Sequence, residues 1–237
     1  MKKIILSLML LVSINLQAQD KAALVEHYEK FYEQMRAQGD MQGIINAMTH
    51  LNILKPSQER LDTLAYLYAN GGKYLQALNT IGIEKVATDS DLAVEVKAVS
   101  LKALKQPQRA LEQYEVLFAR DPSAFLAYEM ADLQMQTGKA DAAMQKIEYG
   151  IANAKEEDKK AFYESQVPYE VALKAAFIHL KALIEFNKDQ VNNIDSAVAL
   201  LDEALAISPN FNLALISKDA LLKRKNPPKA PETTPKN

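Results

Sequence analysis

A 33-residue period runs through the chain and constrains its fold more than any other feature. Ala65, Ala98 and Ala131 are spaced by 33, as are Ala77, Ala110 and Ala143, each 12 residues after its partner in the first set. Gly39, Gly72 and Gly138 lie on the same grid, with Lys105 in the remaining slot. A fixed period of this size marks stacked helix pairs, in which no unit buries its apolar face alone. Within residues 58–90, Leu61, Leu64, Ala65 and Tyr68 follow the i, i+3, i+4, i+7 spacing of one apolar helix face. Asn70-Gly71-Gly72 ends that helix, because Gly readily takes the left-handed conformation of a helix C-terminus. A second stripe follows at Tyr74, Ala77, Leu78 and Ile81.

Residues 91–123 repeat the plan with Val94, Ala98 and Leu101, then Ala110, Tyr114 and Leu117. Proline at Asp121-Pro122 blocks continuation of the second helix. Residues 124–156 carry Ala127, Met130 and Ala131, then Gly138, then Ala143 and Ile147. The alanines mark the closest crossing of the two helices of a unit. Ala65 is therefore expected to face Ala77, Ala98 to face Ala110, and Ala131 to face Ala143. The first unit, 25–57, has Tyr32 and Ile44 at the small sites, as suits a terminal unit with one neighbour. In the fifth unit a first helix is expected from Pro168 to about Phe186, and a second over Ser196–Ile207. Residues 156–167, rich in Glu and Lys, are expected to form a linker or short helix before it. A helix from Phe211 to about Arg224 is the natural cap. The fold class that follows is all-α, a right-handed α-solenoid of about five helix-turn-helix repeats with a C-terminal capping helix.

These residues resemble the tetratricopeptide repeat. Leu61-x-x-Leu64-Ala65-x-x-Tyr68 matches the first half of its pattern, and Ala110-x-x-x-Tyr114 with Pro122 matches the second. Ala197-x-x-x-Leu201-x-x-Ala204 with Pro209 matches the second half again. The likeness covers most of residues 25–210. The period is one residue short of the family's usual 34, Trp is absent, and Lys97 and Gln134 stand where Leu and Tyr are usual. The resemblance implies a protein-interaction module whose first helices line a concave groove.

Residues 1–18 are predicted to be a signal peptide. Lys2 and Lys3 precede an apolar run, Ile4 to Leu16, and Ala18 offers a cleavage point. A run of 13 residues is short for a membrane span, so the mature form is expected to have no transmembrane helix and to be periplasmic or secreted. The repeat domain then occupies 19–224, and 225–237 is a Pro- and Lys-rich tail expected to be disordered. The chain has no cysteine, which removes disulfides and thiolate chemistry. Residues 19–222 hold 21 basic and 29 acidic residues, whereas 223–237 hold five basic and one acidic. An acidic body argues against nucleic-acid binding. The basic tail is an electrostatic match for an acidic groove.

Catalysis finds little support. His27, His50 and His179 lie in different units without ligand spacing, and no phosphate loop or nucleophile motif occurs. His27 with Glu29 and Glu33 has metal-ligand residue types on one turn, but a solvated helix face is the better reading. No catalytic, metal or cofactor residue is assigned. The candidate site is the groove. Glu29, Asp62, Glu95 and Tyr128 are each 33 apart; one turn on come Glu33, Tyr66, Val99 and Asp132. Carboxylates interleaved with tyrosines suit an extended protein or peptide segment, basic segments above all. The predicted partner-binding residues are Glu29, Glu33, Asp62, Tyr66, Glu95, Tyr128 and Asp132. The sequence reads as a non-catalytic interaction module of the bacterial cell envelope. The alternative is an envelope enzyme or glycan-binding protein using the same groove, with Tyr66, Asn70 and Tyr128 as sugar contacts.

Overall fold

The computed structural model describes the backbone of residues 2–226 and the side chains of residues 20–226. The side chains of the expected signal segment and the tail 227–237 lie outside the described residues. The chain divides into two compact units, one ending at Gln106 and the other beginning at Pro107.

The first unit consists of α1 (Lys2–Gln38), α2 (Met41–Leu54), α3 (Gln58–Asn70), α4 (Tyr74–Ile81) and α5 (Asp91–Ala103). Each helix of a pair returns through a two- or three-residue turn, which suits antiparallel neighbours. The turns use the grid: Gly39 and Gly72 take φ +70° and +71°, and Lys105 takes φ +57° in the same role. Ser57 and Ser90 begin α3 and α5, each hydroxyl accepting the backbone N–H three residues on. With Ser123 they form a further 33-residue series that reading the apolar stripes did not bring out. Ala65 and Ala77 are fully buried and share one cluster with Val96, so the small-residue crossing of this pair holds. In the terminal pair, Tyr32 and Ile44 pack instead around Ile45, Met48 and Leu64.

Lys97 is fully buried at a position where an apolar side chain is usual. Its ammonium donates to Asp89 Oδ2 at 2.5 Å and to the Glu84 carbonyl at 2.8 Å. The segment between α4 and α5 is irregular, since α4 stops after eight residues at Gly82, φ +81°. Lys97 ties that segment down from within.

The second unit holds α6 (Pro107–Arg120), α7 (Ala124–Gln136), α8 (Ala140–Asn153), β1 (Lys159–Phe162), β2 (Tyr169–Ala172), α9 (Leu173–Lys188), α10 (Ile194–Ile207) and α11 (Asn212–Lys225). Its core is one continuous cluster that includes Ala131, Ala143, Ile147, Phe177, Leu201 and Phe211. Ala131 and Ala143 are both fully buried in it. The helix plan of paired elements and a final cap stands, but residues 156–172 correct it. In place of a linker or short helix there is an antiparallel hairpin, with Lys160 opposite Val171 and Phe162 opposite Tyr169. Helix α9 accordingly starts at Leu173 and not at Pro168. The cause is packing: Val171 is buried, and Phe162 lies 5.1 Å, ring to ring, from Phe211. Extended pairing places one face of a short segment inward, and the Phe211 cluster supplies the surface that receives it.

Candidate functional site

In the first unit, α1, α3 and α5 are the first helices of their pairs and carry most of the predicted column. Glu29 and Glu33 lie exposed on α1, one turn apart. Glu95 on α5 is exposed, and Tyr66 on α3 and Val99 on the adjoining α5 expose apolar surface. Among the described residues Glu29, Glu33 and Glu95 have no hydrogen-bond or ion-pair partner.

Asp62 is a correction. It is only 4% exposed. Its carboxylate accepts from Gln58 Nε2 at 2.8 Å and from Ser90 Oγ at 2.6 Å. Asp62 thus brackets α3 to the start of α5 and presents no free charge to a ligand. A buried carboxylate needs such partners, because an unsatisfied one costs several kcal/mol, on the order of 3.

A cavity lies beside this face. It has a volume of about 330 Å³ and lies among α1, α2 and α3, bordered by Glu29, Tyr32, Leu51, Glu59 and Arg60. Arg60 is held by donation from its Nη1 to the Lys55 carbonyl at 2.6 Å. Sequence periodicity assigns Tyr32 to packing only, yet its ring also walls this cavity. The available signal was the position of Glu59 and Arg60 in the first turn of α3, beside the Pro56 bend.

In the second unit, Tyr128 and Asp132 on α7 fall differently. Tyr128 is 5% exposed, edge-on to Phe177 at 5.4 Å. Burial, followed by the nearby Asp132 and Glu129 carboxylates, pushes its phenol well above the usual range. Tyr128 is therefore a core residue, and Lys160 of β1 covers it, 5.1 Å from the ring centre, while pairing with Glu129 at 2.6 Å. This also removes one aromatic from the glycan alternative. Asp132 is half-buried and engaged within the chain.

His27 lies edge-on to Tyr28, which stacks on His50 at 4.3 Å. Among the described residues no three His, Cys, Asp or Glu side chains gather as a metal site would require. Among them, too, no helix is long and apolar enough to cross a membrane.

No protein-family model matches the sequence, and no curated protein matches it. Solved structures do. One is YrrB, described as a TPR protein with an unusual peptide-binding site: 15% identity over 81% of this chain and 90% of that one, TM-score 0.63. MamA from Desulfovibrio magneticus RS-1 is 14% identical over 80% of this chain and 97% of its own, TM-score 0.60. This is the tetratricopeptide-type helical-repeat fold. A further MamA structure agrees, with 18% identity, 79% and 93% coverage and a TM-score of 0.58. At such identities the likeness speaks for the fold and leaves each protein's own binding behaviour to itself.

Proposed function

We propose that this chain is a non-catalytic protein-interaction module of the cell envelope. It is exported to the periplasm or secreted, and it holds an extended, basic segment of a partner against Glu29, Glu33 and Glu95. The observation that carries this reading is the state of those three carboxylates. Among the described residues they are exposed and unpartnered, and they lie on the first helices α1 and α5, whereas Glu26 is neutralised by Lys30 at 2.6 Å and Asp219 by Lys223 at 2.6 Å. Tyr66 and Val99 add the flat apolar surface that an extended segment covers. The peptide-binding site named for YrrB supports the reading by analogy of fold.

A fluorescein-labelled, Lys-rich peptide tests it by anisotropy. Binding to the parent is expected to weaken as salt rises. The combined substitutions Glu29→Gln, Glu33→Gln and Glu95→Gln should weaken it about tenfold, since each exposed charge contributes about 0.5 kcal/mol. Equal affinity of parent and triple variant overturns the groove. Export rests on the Lys2-Lys3 start and the apolar run to Leu16. Mass analysis of the exported protein should place its first residue near Gln19, and recovery of only an uncleaved, cell-retained chain would sink this part.

A further inference from the structure

We propose that the outer edge of β1 is a docking site for an extended acidic and apolar segment of a partner protein, which joins the hairpin as a third strand. This site shares no residue with the groove. The Leu173 N–H donates to the Asp158 carbonyl at 2.9 Å, one hydrogen-bonded pair of the ladder. With the register of Lys160 opposite Val171 and Phe162 opposite Tyr169, alternation makes those the next hydrogen-bonded pairs. Lys159 and Ala161 therefore turn their N–H and C=O away from β2.

The same parity turns Glu170 and Ala172 outward on the other side, and there the chain closes its own edge. The Ala172 N–H donates to Ser208 Oγ at 3.1 Å, and the Glu170 carbonyl accepts from Asn210 Nδ2 at 3.1 Å. Nothing equivalent meets Lys159 or Ala161 among the described residues. A two-stranded ribbon is thus partly capped along β2 and open along β1. It is also anchored to the second unit, because Lys160 is paired to Glu129 and Phe162 packs on Phe211. An open edge on a fixed scaffold is the geometry that strand addition requires.

The side chains specify the occupant. Lys159 and Ala161 share the outer face of β1, and Tyr163 follows just beyond its end. Lys159 is exposed and has no acidic partner among the described residues, Ala161 is small, and Tyr163 is 75% exposed. An added strand would place a carboxylate beside Lys159 and, four residues away, an apolar side chain beside Tyr163. Exposed Val167 lies in the same tip.

The probe is a labelled short peptide of alternating Val and Thr ending in Glu, titrated against the full chain. Ala161→Pro removes one outward N–H that has no partner in the fold, a position where an edge strand tolerates proline. It should weaken binding up to about tenfold, the loss of one backbone hydrogen bond, with helix content and melting temperature retained. N-methylating the peptide on its β1-facing residues should do the same. Lys159→Glu should weaken the Glu peptide and favour a Lys-ended one, whereas Glu29→Gln with Glu95→Gln should leave binding unchanged, which separates this site from the groove. Absence of binding to the parent, or equal binding by a folded Ala161→Pro chain, overturns the proposal. If Ala161→Pro does not fold, the parent decides: equal affinity for methylated and unmethylated peptides is fatal. A dimer seen by sedimentation and lost in Ala161→Pro, without peptide binding, overturns the assigned partner in favour of a second copy.

Discussion

Four turn positions on the 33-residue grid carry the same backbone conformation with two kinds of residue. Gly39, Gly72 and Gly138 have φ between +70° and +74°, and Lys105 has φ +57°. A side chain in this region costs about 1 kcal/mol through its Cβ, and Gly avoids the cost at the expense of a floppier unfolded chain. Gly138→Ala is therefore expected to lose about 1 kcal/mol in urea melts, although a Cβ there meets no atom within 4 Å. Lys105→Gly should be neutral or gain up to about 1 kcal/mol. A loss in Lys105→Gly would show that the lysine side chain contributes something that the backbone argument omits. Lys97 shows the opposite economy. A charged side chain in an apolar slot is tolerated because Asp89 and the Glu84 carbonyl both receive it.

Among the described glycines, the one with least room for a side chain, Gly150, lies where α8 meets α9. A Cβ built on Gly150 would sit 1.9 Å from the Phe177 ring, and that ring is fully buried. The glycine is needed for close approach, since it sits within a regular helix. Gly150→Ala is expected to cost about 3 kcal/mol, at the upper end of overpacking effects because the obstacle is a rigid ring. Combining it with Phe177→Leu should recover part of that loss. A thermal melt of Gly150→Ala that matches the parent would mean α8 and α9 separate at no cost. The hairpin is the other decisive element. Its register puts Val171 inward, Tyr163 just past β1 is exposed, and its anchors, Ser208, Asn210 and Phe211, come from the turn between α10 and α11.

At the scale of the whole molecule, His179 links stability to acid pH. Its ring is buried, bonded to Ser217 Oγ at 3.0 Å and 5.1 Å from Phe211. Burial lowers its pKa from 6.5 to about 4, with Glu164 opposing in part. A lowered folded value means that the unfolded chain takes the proton first. The neutral ring therefore costs no stability above about pH 6.5, stability falls as pH drops from 6.5 toward 4, and the loss levels off below 4. The loss is on the order of 3 kcal/mol. Urea midpoints at pH 7.5, 5.5 and 4 should show it, and His179→Gln, which keeps a partner for Ser217, should flatten the curve over that window. An unchanged pH profile in His179→Gln would place the acid sensitivity elsewhere.

Helix pairing, turn positions and the capping helix were legible because they are local. Apolar residues three and four apart select a helix face, and a residue at positive φ ends it. The repeat then copies those local rules along the chain, so Ala65 with Ala77 and Ala131 with Ala143 could be placed by counting. Exposure did not follow from counting. Asp62 and Glu95 occupy equivalent grid positions, yet Asp62 is bonded to Ser90 and buried while Glu95 is exposed, because a side chain's surroundings are set by the neighbouring helix. Tyr128 was drawn inward by Phe177 and covered by Lys160 of the hairpin. The hairpin itself depends on partners some forty residues further along. The period of the sequence determined where helices begin and turn; non-local packing alone decided which carboxylates face water and which strand edge remains open.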